Sequence, residues 1–444
     1  MKKFDVIIIG SGTAGAKIAT ECAKRKKTVA LIEKDHHIFG GSCINIACIP
    51  TKTLIHDSLH DSLYEEAVER KNKLVKKMSE NKYKSLYGLD QLSIYDGEAR
   101  FVANKEVEIV TNSTKEIVTA EHIIINTGAV NNTPPIEGIE HVKNVYTSTS
   151  LINSEELPDK LVIIGGGYIG LEYASMYASF GSDITVVMPE DTLIPNEEPE
   201  IAQEVEKVLK DKGITFLFGK QVEKVKEENG VISLQLSNED EVKGDAVLIA
   251  TGRKPNVEDL HLENTKIMLT DEKAIQVNDK LQTTVDNVWA VGDVKGGMQF
   301  TYISFDDARI IINQLFGDKT YSMKKRNNVP YTVFVDPPLS RVGHTKESAE
   351  KDGYEVVVNN MPVSSIPRSH IMNDQRGLFT GIVDKQTGQV LGASLFGHSS
   401  EELINIVKIA IDHKWLYTDL RDHIFNHPVM SESLNNLFDL EIEK

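Results

Sequence analysis

A glycine-rich strand–helix–strand pattern occurs twice in this chain and constrains its fold more than any other feature. The first copy, DVIIIGSGTAGAKIATECAKRKKTVALIEKD, covers residues 5–35, and the second copy, KLVIIGGGYIGLEYASMYASFGSDITVVMPED, covers residues 160–191. In each copy an apolar run rich in β-branched residues precedes the glycines, and a helical stretch follows them. The repeat therefore predicts two βαβ units of the kind that bind dinucleotides.

The three glycines of each copy have distinct expected roles. The first permits the tight turn after the strand, the second lets backbone amides approach a pyrophosphate, and the third lets the helix pack closely on the strand. The phosphates then meet the amino terminus of a helix, where unpaired N–H groups favour anions. One such motif is weak evidence, but two in matching contexts predict two dinucleotide sites. These glycines are Gly10, Gly12 and Gly15 in the first copy and Gly165, Gly167 and Gly170 in the second.

The residue at the end of the second strand separates the two predicted sites. In the first copy it is Glu33, whose carboxylate can accept hydrogen bonds from ribose hydroxyls. The corresponding position in the second copy is Met188, so no carboxylate there repels a 2′-phosphate. This difference favours NADPH at the second site. NADH use stays open, because Glu190 is close by and no arginine in that loop binds the phosphate.

Composition excludes several classes of partner. The 444 residues include 49 lysines and arginines and 66 aspartates and glutamates, which gives a formal net charge of −17. Nucleic-acid binding depends largely on clustered cations, so no nucleic-acid partner is expected. No apolar run approaches the roughly 18 residues that a membrane-spanning helix needs. The amino-terminal MKKFDVIIIG is interpreted as a first strand rather than a signal peptide, and no membrane association is expected.

Cysteine usage indicates a reducing compartment. The chain has three cysteines, Cys22, Cys43 and Cys48, which are too few for a secreted disulfide scaffold. We therefore expect a cytoplasmic protein in which any disulfide is catalytic. Cys22 follows the first glycine loop on a predicted helix and is interpreted as a buried thiol.

The segment GGSCINIACIPTK carries the predicted chemistry. Cys43 and Cys48 are five positions apart, which in a continuous helix is a rise of about 7.5 Å and too long for a disulfide. If the two cysteines bond, Cys43 must lie on irregular backbone before the helix, which Gly40, Gly41 and Pro50 favour. A redox-active pair fits this geometry. Two unrelated buried thiols are the alternative, and zinc would lack two further ligands at suitable spacing.

With these motifs the chain resembles the class I pyridine nucleotide-disulfide oxidoreductases, the family of glutathione reductase, dihydrolipoyl dehydrogenase and mercuric reductase. Besides the cysteine segment, the resemblance rests on GSGTAG, GGGYIGLE, GRKPN, VGDV and HPVMSE, and it covers nearly the whole chain. It implies an α/β fold with two Rossmann-like dinucleotide-binding domains and a carboxy-terminal α+β dimerisation domain. The expected domains are residues 1–149 for FAD binding, 150–277 for NAD(P)H binding, 278–327 for a central segment that completes the FAD site, and 328–444 for dimerisation.

The resemblance also implies FAD and NADPH as cofactors, with NADH possible, and a role for individual residues. The first glycine loop, the carboxylate after it, the aspartate of VGDV and the glycine of GRKPN are expected among the cofactor contacts. The second glycine loop is expected to hold the nicotinamide nucleotide beneath an aromatic lid, and a lysine beside the flavin is expected to pair with a glutamate. These residues are Gly10, Gly12, Gly15, Glu33, Asp293, Gly252, Gly165, Gly167, Gly170, Tyr168, Lys52 and Glu172.

The same resemblance assigns the thiol chemistry. Cys43 matches the outer, attacking sulfur of a redox disulfide, and Cys48 matches the thiolate that faces the flavin. Electrons are expected to pass from NAD(P)H through FAD to this disulfide and then to a small oxidant. His427 and Glu432 match an acid–base pair that a partner subunit supplies, which implies a homodimer. An imidazole oriented by a carboxylate works near neutral pH, and its imidazolium form would hold Cys43 ionised.

Five segments resemble the bacterial flavoprotein reductases induced by reactive chlorine species. They are GGSCINIACIPTKTLIHD, GGMQFTYIS, PPLSRVG, IPRSHIMNDQRG and HPVMSESLNNLF. Members of this subgroup reduce hypothiocyanous acid, and copper(II) reduction has been attributed to it. Hypothiocyanous acid reduction in oxidative-stress defence is therefore the expected function. Mercury reduction fits less well, because no cysteine follows Cys48 and no amino-terminal cysteine-bearing module is present. A dihydrolipoyl dehydrogenase-like or metal-ion reductase stays an alternative, and the complete catalytic set disfavours a redox sensor without turnover.

Three other segments give coarser expectations. A long charged helix is predicted over residues 51–84, short antiparallel strands over 93–124, and a further helix over 306–315. His56 and His60 lie four positions apart on the first of these helices. They are interpreted as a solvated pair, and no metal site is predicted.

Overall fold

A computed structural model describes residues 1–442 of the chain, and these residues form two compact units. The first unit comprises Met1–Thr133, Ser148–Glu155 and Gly252–Arg326, and the second comprises Pro134–Thr147, Glu156–Thr251 and the residues from Asn327 onward. Residues 443 and 444, the last two of the predicted dimerisation domain, lie outside the described residues. The predicted domain boundaries stay predictions.

Strands and helices share the chain, and several strands follow one another without an intervening α-helix. In chain order the strands are β1 (Lys2–Ile9), β2 (Val29–Glu33), β3 (Leu92–Asp96), β4 (Glu98–Ala103), β5 (Glu106–Val110), β6 (Lys115–Ile125), β7 (Ala129–Asn131), β8 (Val145–Thr147), β9 (Lys160–Ile164), β10 (Asp183–Val187), β11 (Thr215–Leu217), β12 (Val222–Glu228), β13 (Val231–Leu236), β14 (Glu241–Gly244), β15 (Ala246–Ile249), β16 (Arg253–Pro255), β17 (Val288–Ala290), β18 (Tyr331–Val333), β19 (Leu339–Gly343), β20 (Val356–Pro362), β21 (Leu378–Asp384) and β22 (Val390–Phe396). The α-helices are α1 (Thr13–Lys24), α2 (Ser42–Asn45), α3 (Cys48–Ser58), α4 (Tyr64–Tyr87), α5 (Ser148–Leu151), α6 (Tyr168–Phe180), α7 (Pro199–Asp211), α8 (Thr301–Phe316), α9 (Lys346–Lys351), α10 (Pro367–Ile371), α11 (Ser400–Asp412), α12 (Tyr417–Arg421) and α13 (Ser433–Leu437).

The first unit is built on a seven-stranded sheet in the order β3-β2-β1-β6-β5-β4, with β17 also paired to β6. Strands β3, β2, β1, β6 and β17 are parallel, whereas β4 and β5 pair antiparallel beside β6. Every residue of β2 is buried, as expected for a parallel strand covered on both faces. Ile8 packs in one core cluster with residues of α1 and α8, while its neighbour Ile7 packs in a second cluster on the opposite face.

The predicted antiparallel region over residues 93–124 is confirmed for β4, β5 and β6. Strand β3 differs, because it extends the parallel part of the sheet by pairing with β2. The predicted helix over 306–315 is also confirmed, and as α8 it begins five residues earlier, at Thr301.

The second βαβ unit is formed by β9, α6 and β10 in the second compact unit. These strands belong to an all-parallel sheet in the order β11-β10-β9-β15-β8. An antiparallel sheet of β12, β13 and β14 follows α7 and β11 in the chain. Both βαβ units predicted from the glycine repeat are therefore confirmed.

The carboxy-terminal part of the second unit is an antiparallel sheet in the order β18-β19-β22-β21-β20. Helix α11 contributes Leu403, Ile404 and Val407 to a core cluster that also contains Val342 of β19 and Leu395 of β22. This sheet with its helices confirms the predicted α+β component.

The predicted single helix over 51–84 is wrong. The structure has α3 and α4 there, and residues 59–63 separate them. Asp61 has a φ of 55°, a left-handed backbone conformation that interrupts a right-handed helix. The continuous charge pattern of the sequence does not reveal this break. Its consequence is that the cysteine segment is attached to a short helix that begins at Cys48.

Candidate active site

The first glycine loop joins β1 to α1 and has no room for a side chain at Gly10 or Gly15. Gly10 has a φ of 102°, and a Cβ atom there would lie 2.4 Å from the carbonyl oxygen of Asn126. A Cβ on Gly15 would lie 2.3 Å from the carbonyl oxygen of Gly10, so the helix packs against the strand as predicted. The Asn126 carboxamide donates a hydrogen bond to that same Gly10 oxygen at 3.2 Å, and its Nδ2 lies 3.0 Å from a Cβ placed on Gly12.

Glu33 anchors this loop at the end of β2. Its buried carboxylate accepts hydrogen bonds through Oε2 from the Ser11 backbone N–H at 2.8 Å and from the Ser11 hydroxyl at 2.7 Å. The Ser11 hydroxyl oxygen in turn accepts from the Gly40 N–H at 2.9 Å. A Cβ on Gly41 would lie 2.6 Å from the Cα of Gly12. The glycine loop and the start of the cysteine segment are therefore in direct backbone contact.

Cys43 and Cys48 lie on separate helical turns. Cys43 belongs to α2, Cys48 is the first residue of α3, and Ala47 between them has φ and ψ of −134° and −105°, outside the helical region. The Cys43 thiol forms a hydrogen bond with Cys48, and this bond together with burial raises the pKa of Cys43. Both cysteines are partly buried. This arrangement is the irregular backbone that a Cys43–Cys48 bond requires, and the pairing itself stays a prediction.

Two groups lower the pKa of the Cys43 thiol. The Thr301 hydroxyl stabilises the Cys43 thiolate by a hydrogen bond, and the positive charge of Lys52 also lowers the pKa of this thiol. The Thr301 Oγ1 lies 3.4 Å from the Cys48 Sγ as well. Thr301 is therefore shared by the two sulfurs. The role of Thr301 was not predicted from the sequence, because no local motif marks the first residue of α8 as a neighbour of cysteines more than 250 positions away.

Replacing Thr301 with valine should raise the pKa of the Cys43 thiol further. Valine keeps the side-chain volume but removes the hydroxyl that stabilises the thiolate, so less of the thiol is ionised at a given pH. Alkylation of Cys43 by iodoacetamide in the reduced enzyme, followed by peptide mass spectrometry, should slow by about fivefold at pH 8. Thr301→Ser keeps the hydroxyl and should alkylate at close to the original rate. Equal slowing in both variants would mean that the hydroxyl is not responsible.

Asp293 lies in the turn Gly292–Lys295 that follows β17. Burial raises the pKa of its carboxyl group, while the nearby charges of Arg253 and Lys295 lower it. The turn is held by Asp307 of α8, whose fully buried carboxylate accepts from the Gly292 N–H at 2.7 Å and lies 3.4 Å from the Lys295 Nζ. Asp307 was not found from the sequence. Its role in fixing the Asp293 turn depends on folding, which brings together positions 15 residues apart.

The Asp307 carboxylate also pairs with Arg326. A guanidinium nitrogen of Arg326 lies 2.6 Å from one Asp307 oxygen and 2.7 Å from a carboxylate oxygen of Asp306. Buried charges are tolerated when they are paired in this way. Gly252, the glycine of GRKPN, has a φ of 95°, which explains why glycine occupies that position.

The second glycine loop repeats the geometry of the first. Gly165 has a φ of 110°, and a Cβ on it would lie 2.6 Å from the Ala250 carbonyl oxygen. A Cβ on Gly170 would lie 2.1 Å from the Gly165 carbonyl oxygen. Gly167 faces open space, because a Cβ there would meet no atom within 4 Å. An open position at the amino terminus of α6 leaves room for the approach of a pyrophosphate.

Met188 follows β10 and is buried against the same loop. Its sulfur would lie 2.3 Å from a Cβ placed on Gly166, so this side chain packs under the glycine loop. The next two acidic residues, Glu190 and Asp191, are exposed. The position that holds a carboxylate in the first βαβ unit is therefore apolar in the second.

Tyr168 is the first residue of α6 and directly follows Gly167. Its hydroxyl donates to the carboxylate of Glu197 at 2.8 Å. Burial and the Glu197 charge raise the pKa of Tyr168 to about 12. The predicted aromatic lid thus has a defined polar anchor, which the sequence analysis did not identify.

Three further predicted site residues, Glu172, His427 and Glu432, belong to the second unit. The buried carboxylate of Glu172 accepts a hydrogen bond from the Phe334 N–H at 2.9 Å. His427 and Glu432 are brought together, with 2.7 Å between the His427 Nδ1 and a Glu432 carboxylate oxygen. The His427 side chain is 72% exposed. An imidazole that is oriented by a carboxylate and open to solvent is available to a reacting group.

The remaining residues that the sequence singled out are Cys22, His56 and His60. Cys22 is fully buried in α1, as predicted, and burial raises the pKa of its thiol to about 12. The imidazoles of His56 and His60 stack with ring centroids 4.2 Å apart, and the His56 Nδ1 lies 3.0 Å from an Asp57 carboxylate oxygen. Among residues 1–442, no three His, Cys, Asp or Glu side chains are grouped as a metal site requires.

Within residues 1–442, no helix combines the length and apolar composition that a membrane span needs.

Comparison with known proteins identifies similar sequences and structures along the full chain. The family model described as pyridine nucleotide-disulphide oxidoreductase matches residues 4–308, and the model of that family's dimerisation domain matches residues 329–438. A probable pyridine nucleotide-disulfide oxidoreductase of Escherichia coli, RclA, is 44% identical over 99% of this chain and 100% of its own length. A mercuric reductase of Bacillus cereus is 29% identical over 99% of this chain and 72% of its own length.

A solved structure is also very similar to this fold. It is described as the Cu(II) complex of HOCl-induced flavoprotein disulfide reductase RclA from Escherichia coli. Its TM-score is 0.96 at 44% identity, and the match covers 99% of both chains.

Proposed function

Since this chain belongs to the pyridine nucleotide-disulphide oxidoreductase family and is an NAD(P)H-dependent flavin disulfide reductase, we propose that its Cys43–Cys48 pair reduces hypothiocyanous acid. One observation carries this proposal. The Cys43 thiol is hydrogen-bonded to Cys48 from a separate helical turn, so the two sulfurs can react in sequence with one small oxidant. Support for this substrate comes from the 44% identity to RclA, whose solved structure is described as an HOCl-induced flavoprotein disulfide reductase.

The residues of the first unit fit the FAD that the family requires. The glycine loop is closed to any Cβ at Gly10 and Gly15, and the buried Glu33 carboxylate is fixed beside it. Gly12 and the Asp293 turn complete the set that we propose to hold the cofactor. When bound, FAD supplies a two-electron carrier between a reduced nicotinamide and a disulfide.

The residues that we propose for the nicotinamide nucleotide belong to the second glycine loop. They are Gly165, Gly167, Tyr168 and Gly170. We propose NADPH as the preferred donor, because the apolar Met188 stands where a carboxylate would repel a 2′-phosphate. Lys52 and Glu172 are proposed as the cation and carboxylate pair of the hydride-transfer site, where a cation stabilises developing negative charge.

In the proposed thiol step, the Cys43 thiolate attacks the electrophilic sulfur of hypothiocyanous acid. A bond forms between the Cys43 sulfur and the sulfur of the oxidant, and the S–O bond of the oxidant breaks. The leaving hydroxide takes a proton to become water. Cys48 then attacks the Cys43 sulfur and expels thiocyanate, which restores the Cys43–Cys48 disulfide. The dithiol loses two electrons and the oxidant gains them.

His427 and Glu432 supply the proton that this step needs. The Cys48 contact and burial raise the pKa of Cys43, so ionisation of Cys43 requires a nearby cation or base. We propose that the His427 imidazole, oriented by Glu432, takes the Cys43 proton and returns it to the leaving hydroxide. We further propose a homodimer in which this exposed pair acts on the disulfide of the partner subunit, and a cytoplasmic location for it.

A copper(II) reductase is the second candidate. The RclA structure described as a Cu(II) complex favours it, and two adjacent thiols are soft ligands that suit copper in its reduced state. A mercuric reductase is less well supported, because the Bacillus cereus enzyme of that name is 29% identical to this chain and RclA is 44% identical.

The test measures NADPH and NADH consumption by the purified holoenzyme with one oxidant at a time. The oxidants are hypothiocyanous acid, oxidised glutathione, lipoamide, copper(II) and mercuric ions. We expect hypothiocyanous acid to give the highest kcat/KM, and NADPH to give a higher kcat/KM than NADH. A higher kcat/KM with copper(II) would favour the second candidate, and rapid turnover of lipoamide would favour a dihydrolipoyl dehydrogenase.

A further inference from the structure

Glu197 forms a buried polar cluster beside the second glycine loop. Its side chain is 0% exposed, and one carboxylate oxygen, Oε1, accepts hydrogen bonds from the hydroxyls of both Tyr168 and Tyr331. The Arg341 Nε lies 3.3 Å from the other oxygen, Oε2, which has no hydrogen-bond donor among the described residues. The carboxylate therefore depends on the two phenols and on the charge of Arg341.

Tyr331 and Arg341 are held in this cluster by strand pairing. They are cross-strand partners on β18 and β19, and the Arg341 Nε donates to the Tyr331 hydroxyl at 2.6 Å. The Arg341 guanidinium also lies 5.1 Å from the centre of the Tyr331 ring, within the range of a cation–π contact. Antiparallel pairing fixes both side chains relative to one another.

Tyr168 is the one member that belongs to the glycine loop. It is partly exposed, begins α6 directly after Gly167, and binds Glu197 through its hydroxyl at 2.8 Å. The same hydroxyl lies 3.2 Å from the Tyr331 hydroxyl, and the centroids of the two rings are 5.6 Å apart. If its ring moved away, Glu197 would still have Tyr331 and Arg341. Release of Tyr168 therefore breaks its hydrogen bonds to the Glu197 carboxylate and to the Tyr331 hydroxyl without leaving a buried charge unpaired.

We propose that Glu197 is a positioning residue that holds Tyr168 at the mouth of the second glycine loop, and that pyridine nucleotide binding requires this hydrogen bond to break. The proposal rests on the nucleotide site assigned under the proposed function, and it adds the group that controls access to that site. Part of the binding free energy of the nucleotide is then spent on releasing Tyr168. Glu197 thereby sets the affinity for NAD(P)H without touching it.

The test measures nucleotide binding to oxidised holoenzyme by isothermal titration calorimetry, with NADP⁺ and NAD⁺ as probes. Tyr168→Phe keeps the ring and removes its hydrogen bond, so the Kd of whichever nucleotide binds more tightly should fall by about threefold to tenfold. Tyr331→Phe is the matched control, because it removes the other phenol hydroxyl from the same carboxylate and keeps the bond between Tyr168 and Glu197. It also removes the 3.2 Å contact between the two hydroxyls, which leaves Tyr168 as the one phenol on this carboxylate. It should not tighten binding.

A double-mutant cycle separates a specific contact from general loosening of the fold. Glu197→Gln should also lower the Kd, and adding Tyr168→Phe to it should then have less effect than Tyr168→Phe alone. Weaker or unchanged binding in Tyr168→Phe would overturn the proposal, as would fully additive effects. Tyr168→Phe answers the question even if Glu197→Gln fails to fold. Because the readout is nucleotide binding, a failure of hypothiocyanous acid as substrate would leave this test intact.

Discussion

Replacing either Cys43 or Cys48 with serine should reduce NADPH-dependent hypothiocyanous acid reduction by about 10³-fold or more. A hydroxyl in place of either sulfur can neither form the disulfide nor release it by thiol exchange, so the remaining thiol cannot complete a cycle. The flavin should stay bound, because the glycine loop and Glu33 are unchanged. Steady-state consumption of NADPH measures the loss, and the absorbance of the bound flavin confirms that each variant is folded.

Cys22→Ala is the matched control for these variants. Cys22 is fully buried in α1, and burial raises the pKa of its thiol to about 12, so it is protonated at neutral pH. We expect this variant to retain the turnover of the original enzyme. Substantial turnover in Cys43→Ser or Cys48→Ser would show that electrons reach the oxidant by another route and would refute the proposed relay.

The second large effect is expected from His427→Ala. Loss of the imidazole removes the proposed acid and base for Cys43, and such groups typically contribute about 10²-fold or more to a rate. Stopped-flow measurements should show that oxidation of the dithiol by hypothiocyanous acid slows by this factor. Reduction of the flavin by NADPH should change far less, because His427 has no proposed role in it.

His413→Ala provides the comparison for this variant. His413 is exposed at the end of α11, and its ring contacts only the Ile409 carbonyl oxygen among the hydrogen bonds of the described residues. It should leave both half-reactions unchanged. If His427→Ala slowed the two half-reactions equally, its assignment to the thiol step would be wrong.

The sequence predicted the parts of the molecule that depend on local chemistry. Positive φ angles at Gly10 and Gly165 and close packing at Gly15 and Gly170 follow from the spacing of the glycines, and the structure has all of them. The break in backbone between Cys43 and Cys48 was likewise expected from disulfide geometry. In each case a few neighbouring residues decide the conformation, so their order in the chain carries the information.

Contacts between distant segments could not be read in the same way. Thr301 contacts Cys48, Asp307 binds the turn that contains Asp293, and Glu197 binds Tyr168 because the folded chain brings these segments together. None of these three residues was assigned a role from the sequence, because nothing in the neighbouring residues shows what each will contact. The break between α3 and α4 was missed for a related reason, since the left-handed Asp61 interrupts a stretch whose composition favours one continuous helix.

The contact between the first glycine loop and the cysteine segment limits how this enzyme can be re-engineered. Ser11 accepts from the Gly40 N–H, and the Gly41 backbone approaches Gly12 too closely for any added carbon. A cysteine segment transplanted from a relative would therefore have to be transferred together with that relative's first glycine loop. Chimeras joined anywhere between these two stretches should lose flavin and redox activity together, whereas those that move residues 10–48 as one cassette should keep both.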